Sequence, residues 1–376
     1  MNFAFNEEQR SLGETVGQLL SDFPALTAPD LSREQDDDAW NALAELGLFS
    51  LLVPEENDGV GLSLVDVALS VEALGAGLAS PLVASTLIAT ELVKRFGTDA
   101  QKDALFGPLA TGELKVAIAY TERGKGTDPE KLACAISGGC LSGTKIAVAG
   151  ADAADRLLVV ARNNDQASLA FVETGAAGVT VRQQDDLDPS AALCEVAFDG
   201  VEIAADALLG GGASDAPVNA LLDLAATVYS GLTIGIANRM LETTVEYAKT
   251  REQFGKAIGS FQSIKHRCAD MAVLVEAGRA TSYFAFWNCA EDSAERAQTA
   301  SAAKAYCADI ARDACNEAIQ IHGGMGFTWE MALHRYLRRA KVLESAFGNP
   351  AWHYRRVHAE AVAGREADAT ACRDAA

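Results

Sequence analysis

Apolar residues recur at helical spacing through residues 1–110, give way to short strand-like runs between about 113 and 205, and return to helical spacing from 217 to about 360. That order constrains the fold more than any single residue does. It requires helices, then a β domain, then a helical bundle, so the class is mainly α with a β domain. The strand-like runs are KVAIAYTE, LSGTKIAVAG, DRLLVVAR, SLAFVETG, GVTVRQQ and CEVAFDGVEI, separated by Gly, Asn, Asp or Pro. Domain limits of 1–112, 113–208 and 209–376 follow, with GGGAS (210–214) as a linker. In the last domain, helices are expected from Val218 to Thr250, Gly259 to Ala290, Ala294 to Ile321 and Trp329 through Arg356, a four-helix bundle. Near the start, Asp36 to Asp38 just before Ala39-Trp40 mark a helix start. The tail GREADATACRDAA is expected to fray.

Charge narrows the function classes. The formal net charge is −21, which argues against general nucleic-acid binding. Residues 1–60 hold thirteen acids and two bases. Residues 335–356 reverse this with Arg335, Arg338, Arg339, Lys341, Arg355 and Arg356 against one acid, Glu344. That stretch points to an anionic ligand, to subunit pairing, or to a solvated helix face. The eight cysteines show no CxxC pair, so reduced thiols are expected, with no zinc site and no bound metal. No run approaches eighteen apolar residues, and the N-terminus carries acids where a signal peptide carries bases. A soluble cytoplasmic chain without membrane insertion is expected.

Two stretches carry chemistry. In YAKTREQFGKAIGSFQSIKHRCADM, Arg251 lies at a helix end beside Gly255, between Phe254 and Phe261. An arginine there, with free backbone N–H groups, can bind phosphate oxygens. A helix corner closed by glycine accounts for the pattern equally. In IQIHGGMGFTWE, Gly323, Gly324 and Gly326 let the backbone approach a flat or charged group. No parallel-strand context supports a dinucleotide fold, and His322 alone reads as packed.

Taken together, these stretches resemble two C-terminal signatures of the acyl-CoA dehydrogenase family. AYTERGKGTD (119–128) resembles its middle-domain flavin and CoA loop, and FNEEQRSL and FDGVEI also fit. The resemblance covers nearly the whole chain. It implies an N-terminal helical domain, a middle β-barrel and a C-terminal four-helix bundle, with FAD as cofactor, an acyl-CoA thioester as substrate, and tetramers built from dimers. By position, it implies that Arg251, Gln253, Phe254 and Gln262 meet the FAD of a neighbouring subunit. Gln320, Gly323 and Gly324 would approach its ADP part. Thr121 matches the threonine beside the flavin ring, and Thr127 a hydroxyl residue of the CoA loop.

Elsewhere the match decays. The strand that supplies an aromatic and a hydroxyl residue against the ring reads KIAVAG, with Ala147 and Ala149 at those positions. The family places its catalytic glutamate just before a turn glycine, where Phe347 stands here, or on the preceding helix, where Ala225 stands. Ala226 replaces a frequent arginine. Glu344 lies one turn before Phe347; pairing with Arg338 or Lys341 is the plainer reading. Asp223 is rotated away from Ala225. Three functions remain open: a base-lacking subunit of an α2β2 enzyme acting on bulky or steroid side-chain thioesters, a homomeric enzyme with an unrecognised base, or a non-enzymatic scaffold.

Overall fold

A computed structural model describes residues 5–28 and 33–374, with side chains to residue 364. The first domain holds α1 (Glu7–Ser21), α2 (Arg33–Glu45), α3 (Ala68–Ala76), α4 (Pro81–Phe96) and α5 (Asp99–Ala110). Asn6 and Gln9 cap α1 reciprocally. The α2 helix begins at Arg33, not after Asp38. The three aspartates lie inside it, near the end whose dipole favours anions, and Asp37 also binds Lys115 at 2.6 Å. Pro81 opens α4, a position where its missing N–H costs nothing.

The middle domain holds β1 (Val116–Ala119), β2 (Ala135–Ser137), β3 (Cys140–Ala149), β4 (Arg156–Asn163), β5 (Gln166–Glu173), β6 (Val179–Gln183) and β7 (Leu193–Glu202). The seven strands form one sheet in the order β1-β4-β2-β3-β7-β6, with β5 on β4. Past β1 the chain returns to β3, where the Ile146 N–H donates to the Thr121 carbonyl at 2.8 Å and curls the sheet closed. Strand β2 was not expected; it is three residues long and too short to show a period.

A buried ion pair fixes this closure. Lys145 on β3, fully buried, donates to Glu122 at 2.8 Å and to the Tyr120 carbonyl at 3.0 Å. Glu122 also accepts the N–H groups of Ala133 and Cys134. Burial alone would raise the Glu122 carboxyl, but the Lys145 charge and these hydrogen bonds outweigh it and hold it below its usual range.

The third domain is built on α6 (Asp215–Thr250), followed by a hairpin of β8 (Glu252–Gln253) and β9 (Lys256–Ala257), then α7 (Gln262–Ala290), α8 (Arg296–His322), α9 (Leu333–Ser345) and α10 (Pro350–Asp374). Every residue of α6 from Ala220 to Ala237 is buried, so this helix is a core on all sides. It is long and apolar enough to cross a membrane, with Asp223 as the one charge inside its buried stretch Ala220–Ala237. Its apolar stretch is wholly buried within the fold. Its hydroxyls are satisfied internally: Ser230 meets Ser282 at 2.7 Å and Thr233 donates to the Tyr229 carbonyl. It touches α3 backbone to backbone. A Cβ on Gly235 would lie 1.9 Å from the Glu72 carbonyl oxygen, and one on Gly75 would lie 2.0 Å from that of Leu232.

The single helix expected from Trp329 through Arg356 is instead two helices, α9 and α10, and α9 starts only at Leu333. Phe347 and Gly348 both have positive φ (54° and 110°), which no helix accommodates. Asn349 then accepts the Trp352 N–H through its side chain at 2.9 Å, and Pro350 opens α10. The tail expected to fray is helical through Asp374.

Lys145→Met should cost about 3–5 kcal/mol in urea unfolding, because it strands a buried carboxylate. Adding Glu122→Gln should restore part of that loss; no recovery in the double variant would refute the pairing as the cause.

Candidate active site

The C-terminal ends of α6 and α8 and the start of α7 meet at one end of the bundle. The Tyr247 ring stacks on His322 at 4.1 Å, and its hydroxyl donates to the His322 carbonyl at 3.4 Å. Arg251 lies one turn beyond Tyr247 as the C-cap of α6, exposed, with its N–H on the Tyr247 carbonyl. Gln253 and Phe254 form the hairpin that follows; Phe254, at its tip with φ 55°, is 91% exposed. Gln262 opens α7 on the surface, and Gln320 is exposed on the last turn of α8. Gly323 takes φ 60° and ψ −132°, a region closed to side chains, and Gly324 follows it in the open. Nothing lies within 4 Å of a Cβ on either glycine. His322 is buried, with Nδ1 at 2.7 Å from the Ala318 carbonyl.

A second set converges on a cavity of about 150 Å³ between α4, the sheet, α6 and the end of α9, lined by Tyr120, Thr121, Ala147, Ala149, Tyr229 and Phe347 among others. Ala147 sits in a bulge of β3 with φ 52°, its N–H donating to the Gln184 side chain at 2.8 Å. Thr127 lies to one side, its carbonyl accepting the Tyr120 hydroxyl, and Trp352 donates to Asp128 at 2.7 Å beside it. The Phe347 ring is buried edge-on against Tyr229 at 5.2 Å and tilted against Tyr120 at 5.9 Å. Burial pushes the Tyr229 hydroxyl up to about 12.

No acidic side chain lines this cavity among the described residues. Ala225 and Ala226 are buried on α6, Ala225 one turn before Tyr229. The Glu344 carboxylate turns to Lys341 at 2.8 Å. Asp223 is held by Arg296 at 2.8 Å and Arg356 at 2.6 Å. Part of the basic stretch is engaged inside the fold: Arg339 binds Asp188 and the Ala79 carbonyl, while Arg338 lies over the Trp329 ring. Arg339 and Arg356 thus brace the interior, whereas Arg335 Nη1 is buried without a hydrogen-bond partner.

The sequence matches three family signatures: "Acyl-CoA dehydrogenase, N-terminal domain" over residues 6–113, "middle domain" over 117–201 and "C-terminal domain" over 217–362. It is 30% identical over 375 residues to "Probable acyl-CoA dehydrogenase YngJ" of Bacillus subtilis, covering 93% of this chain and 96% of the relative. The chain belongs to the acyl-CoA dehydrogenase family. Among solved structures of this family, butyryl-CoA dehydrogenase from Megasphaera elsdenii superposes with a TM-score of 0.88 at 26% identity, over 96% of this chain and 100% of that one. The ChsE4-ChsE5 complex from Mycobacterium tuberculosis gives 0.86 at 27% identity, over 96% and 99%.

Acyl-CoA dehydrogenases are oxidoreductases acting on CH–CH bonds, and they bind FAD. Here the two regions differ in how they fit that group. The outer end offers an exposed arginine and two glycines with open space above them, suited to a phosphate-bearing ligand. The inner cavity is about half the lower limit of roughly 300–1,000 Å³ found for ligand pockets. Phe347 is among the residues that line it.

Two buried groups that sequence reasoning missed hold the turn of this acyl-CoA dehydrogenase chain. Lys304, fully buried on α8, donates to the carbonyls of Leu343 (2.8 Å), Glu344 (3.1 Å) and Gly348 (3.3 Å). Burial presses its ammonium down to about 7, opposed by the Glu344 carboxylate. His353 places Nε2 3.2 Å from the Phe347 carbonyl. Burial, then the Lys304 and Arg356 charges, drive His353 down to about 3, so it is neutral with its proton on Nε2. The available signal for Lys304 was a lone cation inside the apolar run SAAKAYCA.

His353 gives a pH dependence of known sign. Below about 6.5 the unfolded chain takes up a proton that the native chain refuses. Stability should therefore be fully present above that pH and fall as pH drops toward 3, by at most about 1.4 kcal/mol per unit. His353→Gln should flatten this slope in urea titrations between pH 7 and 5; an unchanged slope would place the proton uptake elsewhere.

Proposed function

We propose that this chain is the base-lacking subunit of a heteromeric FAD-dependent acyl-CoA dehydrogenase, lending part of an FAD site to a homologous catalytic chain in an α2β2 assembly. The observation that carries the reading is Phe347, buried before Gly348 in a cavity with no acidic lining. Removing the α-proton of an acyl thioester needs an acceptor within about 3 Å. Glu122, Asp223 and Glu344 are each committed to a cation. When bound, FAD accepts the hydride from the β-carbon.

This chain's own residues then have a binding role. Arg251, Gln253, Phe254 and Gln262, with Gln320, Gly323 and Gly324, would contact the ADP portion of a flavin whose ring lies in the partner. Thr121 lines the inner pocket, and Thr127 lies to one side of it. The similarity to the ChsE4-ChsE5 complex supports a heteromeric assembly. The substrate we assign is a bulky or steroid side-chain CoA thioester, read by the catalytic partner because the cavity here is too small for it.

Flavin absorbance against protein concentration should give about half a flavin per chain for the co-purified tetramer, since each αβ pair builds one complete site. A value near one, with this chain active alone on acyl-CoA, would mean a homomeric enzyme. A stable, colourless chain that captures no homologous partner would mean a scaffold.

Arg251→Ala should lower FAD retention by the assembled complex roughly tenfold or more, since a charge-assisted contact to phosphate contributes about 1.5–3 kcal/mol. Unchanged flavin content after dialysis would remove Arg251 from the site.

A further inference from the structure

The turn at Leu343–Gly348 is held more firmly than a connection between helices requires. Helix α9 ends at Ser345, which leaves carbonyls of its last turn without intrahelical partners. Lys304 reaches up from α8 and spends all three of its N–H donors there, on Leu343, Glu344 and Gly348. A cation at this end also complements the helix dipole. Between the clamped carbonyls stands Phe347 with φ 54°, a left-handed conformation that side-chain-bearing residues rarely adopt. Gly348 admits no side chain, because a Cβ would meet Trp352 at 2.8 Å and His353 at 3.0 Å. The Phe347 carbonyl is fixed in turn by His353. The backbone on both sides of Phe347 is thus anchored, and the ring has one place to go: between Tyr120 and Tyr229, inside the cavity that also shows Thr121, Ala147 and Ala149.

Alanines at 147 and 149 alone would leave this space larger, not smaller. What closes it is the Phe347 ring, and what holds the ring is a lysine on another helix. We infer that Lys304 is the positioning residue of a steric plug: it clamps the Leu343–Gly348 turn so that Phe347 excludes a planar heteroaromatic ring from this chain's own pocket. The inference rests on the reading of this chain as a base-lacking subunit and deepens it. The absence of a second flavin becomes an enforced property, not a passive result of missing contacts.

The test uses riboflavin, which carries the flavin ring without the ADP portion and so reports on the inner pocket and not on the outer face. The full-length chain, as purified alone or with its partner, is titrated while flavin fluorescence quenching is followed, counting only riboflavin bound beyond FAD already held. The wild type should bind none at the inner pocket. Phe347→Ala and Lys304→Met should each bind it with a dissociation constant at least about tenfold lower than any residual wild-type value, approaching one per chain. The double variant should bind no better than Phe347→Ala, because both changes release one device. A folded Lys304→Met that excludes riboflavin while Phe347→Ala admits it overturns the role of Lys304. If neither variant binds, the plug itself is wrong, while half-flavin stoichiometry can still stand. A wild-type chain that binds one riboflavin at the inner pocket overturns the plug, whereas the base-lacking reading falls only if this chain alone turns over an acyl-CoA. Loss of stability alone would not change the binding count, which separates positioning from a merely structural role. Should Lys304→Met not fold, Lys304→Gln, which keeps two donors on a shorter arm, is read by the same titration.

Discussion

The structure depends on one helix being buried on every side. From Ala220 to Ala237, α6 has no solvent face, so it cannot be amphipathic and needs neighbours all round. The close approach of α3 through Gly75 and Gly235 lets the first domain pack directly on its backbone. With its middle fixed, α6 delivers two functional features at separate heights. Tyr229 faces the cavity, and Arg251 emerges at the far end beside the C-terminus of α8. The Tyr247–His322 stack holds those two helix ends together. The outer face and the inner cavity therefore share α6 as one continuous element.

Electrostatics in this chain serves assembly of the fold more than ligand attraction. Several buried charges are paired: Lys145 with Glu122, Arg339 with Asp188, and Asp223 with two arginines. Such pairs add little net stability compared with apolar replacements, but breaking one leaves an uncompensated charge in a dry interior. Each joins elements distant in sequence, and so fixes how they meet. Lys304 differs because it has carbonyls, not a carboxylate, for partners. It fixes a backbone conformation, and through it the position of an aromatic ring.

Much of the fold was readable. Periodicity separated helices from strands because a core-facing helix and a pleated strand repeat their apolar residues at different intervals. The motifs around Arg251 and Gly323 pointed to one family, and the structure places them at one end of the bundle. Element ends were less legible. The break at Phe347 was hidden because nothing in the residue type announces positive φ; the Asn349-Pro350 pair that starts α10 was the signal available. The short strand β2 had no period to detect. In the basic stretch at 335–356, charge counts cannot show that Arg339 and Arg356 point inward to acids far along the chain.

The sequence by itself determined the order of domains and the family, because these are properties of spacing and identity along one chain. Only the tertiary structure decided what Phe347, Ala147 and Ala149 amount to together. They lie on different elements, and whether their meeting leaves an open pocket or a filled one depends on packing across α6, α9 and the sheet. The same holds for Lys304, which is one lysine in an alanine-rich helix until the fold brings Leu343, Glu344 and Gly348 within reach of its ammonium. A ring's position inside a close-packed interior is set by its neighbours in space, and sequence distance carries no record of them.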